Sequence, residues 1–434
     1  MAAARIELLL RDGEAPSASL PTGVRDALAR IARNGETEDE LETSVIAADG
    51  RGGLPLLYYA LDALARRDAL SYRIASDDGT LATATCRTRL DLRTVDPGQP
   101  LLLSRFALIR RDGDTMTIET PLSAAHVTLT DPRLLPFLAT LATPRRADEL
   151  TAILPPDEVS ALCTLFWSCG LFAGEQENDG SLGYWNFYDL LFHARSRKGR
   201  HHGQYGASFP FRLRTQPPPV AKQIASDDVV PLHRPELQGE FTSVIENRHS
   251  SRQFGEPPIT CRELGELLFR AARIRDVYDV GIGQQLSNRP YPGGGAVYEL
   301  EIYLTVHTCA DLRSGLYHYD PLEHRLARIG DSSKALLQQA TQEPYAPPQV
   351  LLTITARFAR VFWKYESMGY ALILKDVGAL MQTLYLVAEA MGLGACAIGG
   401  GDSDVFAAAA GVDYYEETSV GEFIIGSRAE GDRQ

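Results

Sequence analysis

Five short stretches carry side chains whose types and spacing could do chemistry. Residues 246–254 read ENRHSSRQF. Arg248, Ser250 and Arg252 alternate there, so in an extended backbone they leave one face, where two guanidinium forks and a hydroxyl can close on a single phosphate. Taken alone, two arginines beside a helix are also an ordinary solvated face. Residues 292–298 read PGGGAVY and run straight into a strand at 299–306. Gly293, Gly294 and Gly295, following Pro292, let backbone amides approach a flat ligand with no Cβ in the way, and a flexible hairpin loop is the equal alternative. Residues 358–370 read FARVFWKYESMGY, placing Lys364 and Tyr365 just ahead of a long apolar helix. A lysine beside aromatic rings sheds hydration, and it or the tyrosine can then serve as a base. A lysine snorkelling from a helix start leaves the same signature. Residues 391–401, MGLGACAIGGG, end that helix, and their glycines free the amides around Ala397, Ile398, Gly399 and Gly400 for a large flat ring or an anion, or simply make a tight turn. A last strand at 421–425 leads to Arg428, a third cation for a phosphate or a surface arginine. Each signal is weak alone; all five fall within residues 241–428.

The elements that must position these residues follow from hydrophobic periodicity. In the C-terminal part, helices are expected at 264–272 and 371–391 and strands at 299–306, 351–355 and 421–425. The run 371–391 is apolar on nearly every face, which marks a buried central helix or one shared with a partner subunit. The glycine-rich 292–295 turn is not a dinucleotide fingerprint, because a strand and not a helix follows it. The first hundred residues read as a strand at 5–10, helices at 24–34, 37–45 and 54–67, and a hairpin of 70–74 with 81–85 around Asp77-Asp78-Gly79. From residue 100 a similar outline recurs in another order, with strands at 106–110 and 115–120 and helices at 132–140, 147–153 and 159–171. We therefore expect a winged-helix-like module over 1–95 and a second one, resembling a peptide-recognition module, over 100–175, although such packing carries no chemistry by itself. Residues 183–240 form a connector that includes Pro217-Pro218-Pro219. Trp185, Phe187, Tyr188, Leu190, Leu191, Phe192 and Phe211 make it too apolar for a solvated tether, so it is expected to lie packed on a surface.

Composition narrows the chemistry. The chain has 434 residues with 43 Lys and Arg against 56 Asp and Glu, a formal net charge of −13 and a pI of about 5.3. That charge disfavours nucleic acid as a partner. The 44% hydrophobic content and mean hydropathy of −0.15 are those of a globular protein of more than one domain. No uninterrupted apolar stretch approaches the roughly 20 residues that span a bilayer, and the N-terminus lacks the features of a signal peptide, so a cytoplasmic protein without a membrane partner is expected. Cys86, Cys163, Cys169, Cys261, Cys309 and Cys396 are scattered, and the histidines form no HExxH or i, i+4 pair, so no metal ligand set is expected. The remaining sources of difficult chemistry are side chains or an organic cofactor.

Taken together, RHSSR, GGGAVYELEIYL, WKY, a long apolar helix, GLGACAIGG and the final Gly426-Ser427-Arg428 resemble the FMN-dependent nitroreductase superfamily. More narrowly they resemble its SagB-type (McbC-like) thiazoline/oxazoline dehydrogenases. The likeness covers residues 241–428 and extends to 188–200, which resembles the family's lead-in segment. It implies an α+β fold over 241–434, an antiparallel sheet flanked by helices, built as a homodimer with FMN at the interface. By that resemblance Arg248, Ser250, Arg252 and Arg428 hold the FMN phosphate. Pro292, Gly293, Gly294 and Gly295 reach the flavin from the other subunit, and Ala397, Ile398, Gly399 and Gly400 line its ring. Lys364 and Tyr365 match the catalytic pair, and which of them is the base stays open. The implied reaction removes two hydrogens from a thiazoline or oxazoline in a ribosomally made precursor peptide, giving the aromatic azole, with oxygen reoxidising the flavin. The implied partners are the azoline-containing precursor peptide and a cyclodehydratase, with the N-terminal modules binding a leader peptide or the partner enzyme. Two other readings remain: an azoline oxidase acting on a nonribosomal synthetase intermediate, and a flavin-free peptide-binding scaffold. The segment Glu366-Ser367-Met368-Gly369-Tyr370 departs from the family in lacking arginines, which bears on the peptide contact.

Overall fold

A computed structural model describes residues 5–10, 20–77, 79–92, 94–96, 98–174, 177–201, 213–214, 238–279, 281, 284–341, 346–365 and 368–431. Asp78 of the expected hairpin turn, Phe211 and the three prolines 217–219 of the connector, and Glu366 and Ser367 lie outside the described residues. The chain divides into two compact units, 1–202 and 203–434.

In the first unit, strands β1 (Arg5–Leu10), β2 (Leu70–Ser76), β3 (Gly79–Thr85), β4 (Leu108–Asp112), β5 (Thr115–Glu119) and β6 (His126–Leu129) form one antiparallel sheet in the order β1-β2-β3-β6-β5-β4. Helix Thr22–Arg33 buries Val24, Ala27, Leu28 and Ile31, the i, i+3, i+4, i+7 stripe of an amphipathic helix. Helix Glu38–Asp49 starts at a reciprocal cap, in which Thr37 accepts from the Glu40 amide and Glu40 accepts from the Thr37 amide. Strands from the two stretches expected as separate modules join through β3 and β6, with Ala82 opposite Leu129, and their side chains share one core that runs from Leu8 and Ile74 to Phe137 and Phe166. The connector begins in this unit as helix Phe187–Ser196. Trp185 is buried and stacks 5.4 Å from the His193 ring, while Tyr188 and Phe192 are exposed.

In the second unit, β7 (Asp276–Tyr278) and β8 (Leu286–Asn288) make a small ribbon. The main sheet comprises β9 (Leu300–Val306), β10 (Gly315–Asp320), β11 (Arg325–Gly330), β12 (Val350–Arg357), β13 (Leu393–Ile398) and β14 (Glu417–Ser427), all antiparallel, in the order β11-β10-β9-β12-β14-β13. The period-2 alternation of β14 divides the layers. Ile424 packs with Phe406 of helix Ser403–Ala410 on one face, and Phe423 meets Tyr385 of helix Gly369–Ala390 on the other, ring centres 5.0 Å apart. Gly421 lets this long helix close on the sheet, since a Cβ there would lie 2.7 Å from Met381 Cε.

By length and composition alone the helix Gly369–Ala390 could cross a bilayer, yet it lies on the sheet with Ile373, Val377, Leu380, Leu384 and Ala388 buried. Leu372, Leu374, Leu386 and Val387 remain half-buried. The glycine-rich run after it corrects the sequence expectation. Residues 393–398 are not a loop but the edge strand β13, paired with β14 from Leu393 opposite Ser427 to Ile398 opposite Glu422, because small residues fit where a helix crosses a sheet edge.

Candidate active site

The first cluster forms where the chain leaves helix Glu240–Asn247. Arg248 caps that helix, with its guanidinium carbon 5.0 Å from the centre of the Tyr385 ring. Two residues on, Ser250 Oγ lies 2.9 Å from the Tyr385 hydroxyl, which also accepts the Ala397 N–H at 2.7 Å. The segment is fixed by its backbone: Ser251 N–H donates to Ala395 O at 2.8 Å and Gly255 N–H to Ser427 O at 3.0 Å. Buried Gln349 ties the same ends together. Its Oε1 accepts from the Ile259 and Ser427 amides, each at 2.9 Å, and its Nε2 donates to Gly255 O at 2.8 Å. Arg248, Ser250 and the last residues of β13 thus converge on one tyrosine. Arg252 is exposed, and a Cβ on Gly399 would meet nothing within 4 Å, so the far end of β13 borders open space.

Two expected phosphate or ring contacts are engaged within the protein. Arg428 Nη2 donates to Glu389 Oε2 at 2.5 Å and to Leu393 O at 3.1 Å, and Nη1 to Glu389 Oε1 at 3.3 Å. Both side chains are largely buried, and a buried guanidinium needs a counter-ion, which the last turn of the long helix supplies. The Ala397 amide, expected to face a ring, is held by Tyr385.

The second cluster gathers on the glycine turn. Lys364 Nζ donates to Gly295 O at 3.1 Å and lies 5.3 Å from the Tyr365 ring centre. Gly295 has φ of 59°, and a Cβ there would run into the Tyr365 hydroxyl and sit 2.9 Å from Lys364 Nζ. Glycine at 295 therefore lets the turn lie directly against the lysine-tyrosine pair as they stand. Ala296 and Tyr298 also have positive φ, 58° and 48°, a strained path that its surroundings must hold. Asp376 Oδ2 accepts the Gly294 N–H at 2.8 Å, Arg360 Nη2 donates to Val297 O at 2.7 Å, and the Tyr298 hydroxyl donates to Tyr291 O at 2.8 Å. Behind Asp376, Glu299 is fully buried, and burial together with the Asp376 charge pushes its carboxyl up to about 7. Burial raises Asp376 as well.

The structure therefore sorts the expected residues into two groups: Arg248, Ser250, Arg252 and residues 397–400 in one, Pro292 to Gly295 with Lys364 and Tyr365 in the other. The long helix contacts both. Asp376 and Tyr385 are nine positions apart, about 14 Å along the axis and half a turn around it. Sequence reasoning missed Tyr385, Asp376, Glu299 and Gln349. The one available signal was Asp376, an acid within a largely apolar helical run.

A cation, a hydroxyl and open space at the end of β13 are of the kind that suits a phosphorylated flat ligand, so the residues present fit a group such as FMN.

Residues 245–427 match the nitroreductase family, and residues 101–202 match the family described as cyanobactin oxidase ThcOx. A Methanocaldococcus jannaschii protein named as a nitroreductase is 29% identical over 176 residues, 40% of this chain and 85% of that protein. The microcin B17-processing protein McbC of Escherichia coli is 30% identical over 113 residues, 24% of this chain. The match spans less than half of McbC, 42% of its length. A chain in the structure of the Escherichia coli microcin synthetase McbBCD complex with truncated pro-MccB17 bound superposes with a TM-score of 0.43 at 21% identity, covering 58% of this chain and 97% of that one. Residues 245–427 thus form a nitroreductase-family domain, and part of the chain is similar in sequence to McbC.

Proposed function

We propose that this protein is an FMN-dependent dehydrogenase that converts thiazoline or oxazoline rings of a ribosomally made precursor peptide to thiazoles or oxazoles. The observation that carries the reading is the Lys364-Tyr365 pair seated on Gly295, which places a phenol and an ammonium side by side against the glycine turn. Support also comes from the likeness to McbC, a microcin-processing protein, and to the cyanobactin oxidase family.

In this mechanism Arg248 and Ser250 bind the phosphate, steadied by Tyr385. Bound FMN supplies a ring that accepts hydride. Tyr365, as its phenolate, would take the proton from the azoline ring carbon and become the neutral phenol, the Lys364 ammonium beside it balancing the phenolate charge before the transfer. The substrate loses one proton and one hydride and gains an aromatic ring. The two groups of residues lie at opposite borders of the long helix's buried stripe, so a homodimer, in which one copy's phosphate site meets its partner's lysine-tyrosine pair, completes the site. Its half-buried leucines would be covered in the same step. Azolines arise by loss of water from a Cys or Ser side chain and the preceding carbonyl, which makes a cyclodehydratase the natural partner.

The test is the visible spectrum of the purified protein, reconstituted with FMN, before and after anaerobic addition of an azoline peptide. We expect flavin bands that bleach as azole forms. A protein that takes up no FMN, or flavin bands unchanged by the peptide, would overturn the assignment.

A further inference from the structure

The Gly293 to Gly295 turn is held from below by a pair of acids. Asp376, on the long helix, accepts the Gly294 N–H at 2.8 Å, and the next residue, Gly295, carries the carbonyl gripped by Lys364. Glu299, where the turn enters β9, has no solvent exposure, and its carboxyl hydrogen-bonds with that of Asp376, a contact that needs a proton on one of the two. As an anion in that place it would be costly. Its charged neighbours come from each element packed around it. Asp376 opposes ionisation, whereas Arg289, ahead of the turn, favours it. Arg289 is itself engaged by the backbone, donating to Leu300 O at 3.2 Å and Tyr298 O at 3.5 Å. Arg360 donates to Val297 O, and Tyr291 is a buried neutral phenol. Among the described residues no cation makes an ion pair with Glu299.

We propose that Glu299 and Asp376 are positioning residues that work as a one-proton latch: with Glu299 neutral, Asp376 is free to hold Gly294 and so seats Gly295 against Lys364 and Tyr365. Ionising Glu299 puts two like charges in one water-poor space. Asp376 is then repelled, the Gly294 amide loses its acceptor, and the strained turn relaxes away from the pair. The latch is closed below the Glu299 midpoint near 7 and open above it. Its effect on turnover rests on the reading of Lys364 and Tyr365 as the catalytic pair.

The experiment has two arms. In the first, infrared difference spectra of the protein without substrate are recorded from about pH 6 to about pH 8. A protonated-carboxyl band should titrate away in the wild type, be missing in Glu299→Gln, and persist in Glu299→Asp. In the second, kcat for azoline oxidation should fall about tenfold over the same range in the wild type, as expected for one group titrating near 7, and stay within about twofold in Glu299→Gln. If Glu299→Gln does not fold, Asp376→Asn serves instead, and the band should then disappear at lower pH. A wild type with no titrating band, or a Glu299→Gln protein that keeps the wild-type band and pH limb, would overturn the latch. A wild type with the band but no turnover would overturn the dehydrogenase reading and leave the latch standing.

Discussion

Tyr385→Phe removes one oxygen and tests whether the first cluster is organised as described. The ring stays, and with it the edge-to-face contact with Phe423 and the surface under Arg248, so core volume is unchanged. Two interactions go: the Ser250 Oγ contact at 2.9 Å and the Ala397 N–H bond at 2.7 Å. Ser250 is half-buried and can turn to water at little cost. Ala397 is on the edge strand, and beneath a phenyl ring its amide has no replacement acceptor, a loss of about 1–3 kcal/mol. A central value of about 2 kcal/mol corresponds to roughly 30-fold faster amide exchange where local opening governs it. The assay is hydrogen-deuterium exchange on the peptide that contains β13, with the β9 to β12 peptides as internal reference. FMN affinity should weaken several-fold in parallel, because Ser250 loses its anchor. Exchange at Ala397 within about twofold of wild type would refute the claim that this hydroxyl holds the strand, and unchanged FMN binding would separate Tyr385 from the phosphate site.

Lys364→Ala and Tyr365→Phe proteins should keep bound FMN yet lose turnover by roughly 10²–10⁴-fold, the usual weight of a positioned acid or base; unchanged rates in both would remove the pair from the mechanism. Glu389→Gln leaves the Arg428 guanidinium buried without its counter-ion and should destabilise the C-terminal unit by about 3 kcal/mol, read from its chemical denaturation, whereas a change under about 0.5 kcal/mol would show the pair to be a surface contact. Glu299 is raised from 4.5 to about 7 in the fold, so between those values the native state carries a proton the unfolded chain lacks. Stability should therefore fall as pH rises through this window, by about 3 kcal/mol from this group, and Glu299→Gln should flatten the slope; a wild-type slope of the opposite sign would contradict the burial argument.

How much of this could be read from the chain depends on sequence distance. Helix Thr22–Arg33 declares itself through its period and strand β12 through its largely apolar run, and each chemical stretch could be picked out because its residues are consecutive. The pairings could not. Ser250 meets Tyr385 across 135 positions and Gly294 meets Asp376 across 82, and nothing local marks either partner. A tyrosine in an apolar helix reads as core, which Tyr385 also is. Strand β13 was missed for a different reason: Gly394, Ala395, Cys396 and Ala397 have low strand propensity, and the strand exists because β14 and the long helix leave room only for small residues there. Strand β6 was missed because four residues are too few to show a period. Arg428 was legible as a cation but not as a paired one, since Glu389 lies 39 positions away on another element.

The long helix explains why these distant pieces belong together. Its composition would suit a membrane, but Asp376 and Tyr385 interrupt the apolar surface at opposite borders of the stripe that faces the sheet. Each holds one of the two clusters: Asp376 accepts from the glycine turn under Lys364 and Tyr365, and Tyr385 meets Ser250 and the β13 edge. Met381 and Val377, pressed onto Gly421, fix the helix between them, so it cannot rotate to relieve one border without displacing the other. In the proposed dimer the two borders serve different sites, and a disturbance at one copy's phosphate contacts reaches the lysine-tyrosine pair that works on the other copy's flavin. A bulky residue at position 421 should therefore impair FMN binding and turnover together, although Gly421 touches neither.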